Sequence, residues 1–121
     1  MDPASESHVT VVNNRYSLSY SGKITLPEGA QIEEFGMVLT NQSADDCADD
    51  TLVIGGAVNG VNCVKLTGES LTENGQCKLN VNNVRPGQTR TGRLFLTVRY
   101  ADGTTETLYS GTWAELSTPS N

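Results

Sequence analysis

Histidine occurs once in this chain of 121 residues, at position 8. That scarcity removes the commonest route to nucleophilic catalysis, because a serine or cysteine needs a base beside it and His8 lies near the amino end. Positive charge is also short: Lys and Arg number 8 against 14 Asp and Glu, a formal charge of −6. A chain of that sign repels polyanions, so neither nucleic acid nor an anionic membrane surface is expected as a partner. No apolar run approaches the ~20 residues that cross a bilayer, which excludes insertion by a helix. The start, MDPASESH, has neither the basic nor the apolar region of a signal peptide.

Cysteine is limited to Cys47, Cys63 and Cys77, with no CxxC spacing and no histidine cluster, a pattern that argues against zinc. The three read as small buried hydrophobes. If one disulfide forms, Cys63 with Cys77 is the expected pair, since both lie on or beside predicted strands while Cys47 falls in an acidic loop. Helix formers are sparse, whereas Thr, Ser, Asn and Gly are abundant, the mixture of a β-protein with polar, uncharged outer faces.

The clearest local signal is TGRLFLTVRYADGTTETLYSGTW, Thr91 to Trp113. Two alternating apolar runs flank Asp102-Gly103, the signature of a two-residue hairpin loop. That loop predicts Tyr100 opposite Thr105, Arg99 opposite Glu106, Val98 opposite Thr107 and Leu96 opposite Tyr109. One face then carries Leu94, Leu96, Val98, Tyr109 and Trp113 toward a core. The other carries Arg93, Phe95, Thr97, Arg99 and Glu106.

Earlier stretches repeat the strand pattern. His8 to Val12 is a short β-branched run. Arg15 to Leu26 places Tyr16, Leu18, Tyr20, Ile24 and Leu26 at even positions, with a bulge expected at Ser21-Gly22 before the turn at Pro27 to Gly29. Ile32 to Thr40 alternates through Phe35, Met37 and Leu39. Asn59-Gly60 predicts a second hairpin joining Thr51–Val58 to Val61–Leu66, with Val53 opposite Leu66 and a bulge or sheet edge near Gly55-Gly56. Cys77 to Val84 forms a further strand, and Arg85 to Gln88 a turn. About eight short strands separated by turns, with no helix, predict an all-β chain, an immunoglobulin-like antiparallel β-sandwich of about 7–9 strands. Residues 1–7 read as a disordered lead-in, 8–116 as one sandwich domain and 117–121 as a polar tail.

Few residues are arranged for chemistry. The densest acidic run, Asp45, Asp46, Asp49 and Asp50, lacks the alternating spacing that wraps calcium, so a solvated loop is the stronger reading and no metal site is assigned. Glu33 and Glu34 are adjacent and project to opposite faces of a strand, which suits no carboxylate pair. Lys23 could open an intramolecular isopeptide bond, but the last strand offers no asparagine. Asn41-Gln42-Ser43 matches the glycosylation sequon, a common triplet. No cofactor is implied. What is left is a candidate contact surface: Phe95 falls on the polar face with Arg93 and Arg99, and Tyr100 adjoins it.

Two segments, EEFGMVLT (Glu33 to Thr40) and NNVRPGQTRTGRLFLTVRYADGTTETLYSG (Asn82 to Gly111), carry a resemblance. They are similar to small β-sandwich modules repeated in secreted and cell-wall multidomain proteins of Gram-positive gut bacteria, which carry an EYGxLV-like strand and a tyrosine-flanked terminal hairpin. The three cysteines and Leu94-Phe95-Leu96 depart from that pattern. The resemblance implies an immunoglobulin-like fold, an extracellular or cell-wall setting and an accessory task, and it transfers no catalytic or binding residue. The expectation is a non-enzymatic module of a larger exported protein, acting as spacer, scaffold or protein-contact domain. Its alternative is a carbohydrate-binding module that would use Phe95, Tyr100, Tyr109 or Trp113. A viral or phage surface decoration shares the same features.

Overall fold

A computed structural model describes residues 8–12, 15–68 and 75–119. The apolar alternation of the first half becomes β1 (His8–Val12), β2 (Arg15–Lys23) and β3 (Ala30–Thr40). The middle of the chain holds β4 (Ala57–Val58), β5 (Val61–Asn62) and β6 (Val64–Thr67). The second half holds β7 (Gln76–Val84), β8 (Thr89–Tyr100), β9 (Thr105–Tyr109) and β10 (Ala114–Ser117). All pairings are antiparallel. One sheet runs β1-β2-β7, a second runs β10-β8-β3-β6 with β9 also on β8, and β4 and β5 pair as a separate short ladder. Among the described residues the only helical segment is a single 3₁₀ turn, Ala44–Asp46. The chain is an all-β sandwich.

The core between the sheets follows the even-numbered pattern of β2. Leu18 and Tyr20 meet Leu79 of β7, Met37 and Leu39 of β3, and Leu94, Leu96 and Val98 of β8. Burying a side chain of this size fully contributes ~1.5–3 kcal/mol. Cys77 lies in this same core. Tyr20 brings a polar atom inside, and its hydroxyl donates to the Arg90 carbonyl at 2.6 Å. Gly92 makes room beside it, since a Cβ there would come within 2.2 Å of Met37 Cε.

Several local expectations change. Ser21 and Gly22 pair with Lys78 and Cys77 without interruption, and the irregularity lies instead between Tyr16 and Leu18. There β7 carries the extra residue, and Asn83 adopts φ +61, a left-handed conformation asparagine tolerates. A second bulge, between Ile32 and Glu34, inserts Glu33 into β3 and leaves Ile32 exposed. The Asn59-Gly60 loop has both residues at positive φ, as a two-residue hairpin requires. Its ladder stops after Ala57↔Asn62, however, and residues 51–56 form turns rather than a strand. β6 leaves this hairpin and pairs with β3, placing Leu66 opposite Met37.

The carboxyl end is fastened more firmly than a polar tail. β10 pairs with the start of β8, and the buried Thr118 hydroxyl donates to the Arg85 carbonyl at 2.7 Å. The expected lead-in, residues 1–7, and most of the stretch between β6 and β7 lie outside the described residues.

Candidate functional site

The register of the last hairpin decides what happens to the predicted contact face. Its loop has three residues, not two: Tyr100 N–H donates to the Thr104 carbonyl, Gly103 N–H donates to the Tyr100 carbonyl, and Gly103 takes φ +87. This is the turn-plus-bulge form of a hairpin, which needs positive φ only at the last loop position. Asp102 accepts from both the amide and the hydroxyl of Thr104, which holds its carboxyl below the usual range. The pairing therefore moves by one residue, to Phe95↔Tyr109, Leu96↔Leu108, Val98↔Glu106 and Arg99↔Thr105. A one-residue shift sends every side chain of a strand to the other face. Leu108 turns to the main core, and Tyr109 leaves it for the face of Phe95 and Arg93.

That face is covered. Residues 41–63 fold back over the outer side of β3 and β8, and Leu52 buries itself against Val38 and Phe95. Cys47, Cys63, Tyr109 and Trp113 pack around this second cluster, so Trp113 belongs here and not with Leu94 and Leu96. Because β8 is buried on both faces, its run from Thr91 to Leu96 is buried without alternation.

Arg93 is the polar centre of the covered face. Only 5% of it is exposed. Its Nε donates to the Ser110 carbonyl at 2.7 Å, and Nη1 donates to the carbonyls of Asp49 at 3.0 Å and Leu52 at 3.2 Å. Nη2 reaches the Asp49 carboxylate at 3.1 Å. The guanidinium carbon lies 5.0 Å from the Tyr109 ring centre and 5.4 Å from that of Trp113, within cation–π range of both. The indole N–H donates to the Ala44 carbonyl, and the Tyr109 hydroxyl accepts from the Ile54 amide. These contacts use the arginine as a tie between strand and loop.

Of the four residues expected to make a contact surface, Arg93 and Phe95 are thus interior. Arg99 stays exposed but pairs with Glu33 of the β3 bulge rather than with Glu106. Tyr100, half-buried, donates its hydroxyl to Glu106 at 2.7 Å, which raises its pKa. The acidic run is likewise engaged in part: Asp49 meets Arg93, and Asp46 accepts from Asn59 at 3.1 Å. Among the described residues no three His, Cys, Asp or Glu side chains gather as metal ligands.

The open part of the surface lies elsewhere. Among the described residues β6 ends one sheet and β7 ends the other, and the two edges face each other across a groove. One depression of about 380 Å³ runs between Leu66–Gly68 and Lys78–Asn80. A second, about 290 Å³, opens among Leu39, Val61, Val64 and Val81. Val64 is 62% exposed, the most exposed of the large hydrophobic residues among those described. The Asn59-Gly60 hairpin pattern directs Val61–Leu66 to Thr51–Val58 and so hides this edge; the four-residue run VKLT on its own does not reveal which strand it joins.

No family model matches the chain, and neither a curated protein nor a solved structure does.

Proposed function

We propose that this chain is a non-catalytic accessory module of a larger exported protein, extracellular or attached to the cell wall, and that it works through protein contact. The observation that carries the reading is the groove between β6 and β7, where two sheet edges adjoin and no strand is paired to the outer side of either among the described residues. A strand edge offers backbone N–H and C=O groups in a row, and the chemistry that satisfies them is another extended polypeptide. The apolar side chains along the groove, Val64, Leu66 and Val81, give such a segment places to seat alternate residues.

The glycan-binding alternative draws less support. Stacking on sugars needs free ring faces, whereas Phe95 is buried and Tyr109 and Trp113 are half-buried against Arg93. Selection of extended peptides from a displayed library, run beside a panel of soluble glycans, separates the two. The expected result is enrichment of alternating apolar peptides whose binding falls at least tenfold in Val64→Lys. Glycan binding unaffected by that substitution, with no peptide enriched, would overturn the contact reading.

A further inference from the structure

Two of the three cysteines pack against the second apolar cluster. Cys47 follows the 3₁₀ turn and Cys63 follows β5, and both pack against the patch of Val38, Leu52 and Phe95. The intervening turn links them: the Cys63 thiol lies 3.5 Å from the Thr51 carbonyl, while Thr51 N–H and Leu52 N–H both donate to the carbonyl of Ala48, the residue after Cys47. Cys77 is in the other core, between the sheets, and is excluded from this group. We infer that Cys47 and Cys63 are the partners of a reversible disulfide that closes the 41–63 segment on itself where it lies over the outer face of the sheet.

The electrostatics agree with that proximity. Burial pushes the Cys47 thiol up, and the neighbouring Cys63 raises it further, as one thiolate does to another nearby. Burial raises Cys63 as well. Neither thiol is therefore strongly nucleophilic at neutral pH, and the bond needs an oxidant. A small-molecule disulfide supplies one: a cysteine thiolate attacks one of its sulfurs and expels a thiolate, then the second cysteine sulfur attacks the mixed disulfide and expels the other. Two cysteine thiols lose two protons and two electrons, and the reagent is reduced to two thiols.

The test is refolding of the reduced, denatured chain in a mixture of reduced and oxidised glutathione at about pH 9, where more thiolate is present, followed by non-reducing peptide mapping. Similar lengths of chain separate Cys63 from Cys47 and from Cys77, so an unfolded chain would form the two bonds about equally. The expected result is one dominant Cys47–Cys63 bond, a thiol count falling from three to one, and the same bond in Cys77→Ser. Closing this loop raises Tm by roughly 5–15 °C. Cys47→Ser should lose that gain and carry glutathione on Cys63. The same treatment of protein never unfolded must give the same bond. Equal amounts of the two pairings, stable glutathione adducts on both cysteines, or a bond that lowers Tm would each overturn the assignment.

Discussion

Arg93 and Leu52 are joined by a 3.2 Å hydrogen bond from the guanidinium Nη1 to the Leu52 carbonyl, across 41 positions of chain. The Leu52 side chain beside it is fully buried on Phe95 and Val38. One arginine on a central strand thus satisfies backbone carbonyls of a loop that has little regular structure of its own, and the loop in turn shields the arginine from water. The two halves of this arrangement depend on each other.

Arg93→Met should destabilise the fold by about 2–4 kcal/mol in urea titration, because it strands buried carbonyls while keeping most of the apolar volume. Tryptophan emission should shift to the red as Trp113 loses its guanidinium neighbour. Asp49→Asn should change stability by no more than ~0.5 kcal/mol, since an exposed carboxylate contributes little to an ion pair, and the Asp49 side chain is 84% exposed. Equal losses in the two variants would show that the ion pair, not the carbonyl network, holds the loop.

Gly36→Ala is expected to loosen β6. A Cβ at Gly36 would fall 2.0 Å from the Leu66 carbonyl oxygen, a backbone atom of the partner strand that cannot turn away. The expected cost is about 1–3 kcal/mol, with faster amide exchange at Val64–Thr67. Unchanged exchange there would mean that β6 is not held against β3 as described.

Alkaline pH should weaken the protein through Tyr20. Its hydroxyl is buried and bonded to the Arg90 carbonyl, and burial raises its pKa well above the ordinary value near 10. A folded pKa above the unfolded one means the contribution is complete below about pH 10 and is lost as pH rises beyond it, because the unfolded chain releases the proton first. Stability measured from pH 8 to pH 11, roughly spanning the tyrosine range, should therefore fall at the upper end. Tyr20→Phe should flatten that fall while costing about 1 kcal/mol at neutral pH for the lost hydrogen bond.

Gly103→Ala isolates the loop conformation. Nothing lies within 4 Å of the added Cβ, so crowding has no part, and the φ of +87 alone sets the penalty. A loss of ~1 kcal/mol is expected, with Gly103→Asn recovering part of it because asparagine enters the left-handed region more readily. An alanine variant as stable as the parent would favour a different loop.

The strands were legible to the degree that one face of each met a core and the other did not. The even positions of β2, Leu18 and Tyr20, announced themselves by alternation, as did Phe35, Met37 and Leu39. Asn59-Gly60 marked its turn correctly because asparagine and glycine are the pair that two positive φ angles require. Asp102-Gly103 misled for the same reason: only the glycine takes positive φ there, and a three-residue loop uses the same dipeptide with the strands offset by one. Tyr109 and Leu108 are both apolar enough for either face, so composition did not arbitrate the register.

The sequence by itself determined the β character, the positions of most strands and the central place of β8, because period-two patterning and turn chemistry act over a few residues. Tertiary structure decided which face of β8 was covered, where Trp113 settled, which cysteines joined the second cluster and which of the described strands were left at the edges. Those outcomes depend on how residues 41–63 return to the sheet. The contacts of Arg93 with Asp49 and Leu52 that secure that return join groups more than forty positions apart, beyond the reach of any local pattern.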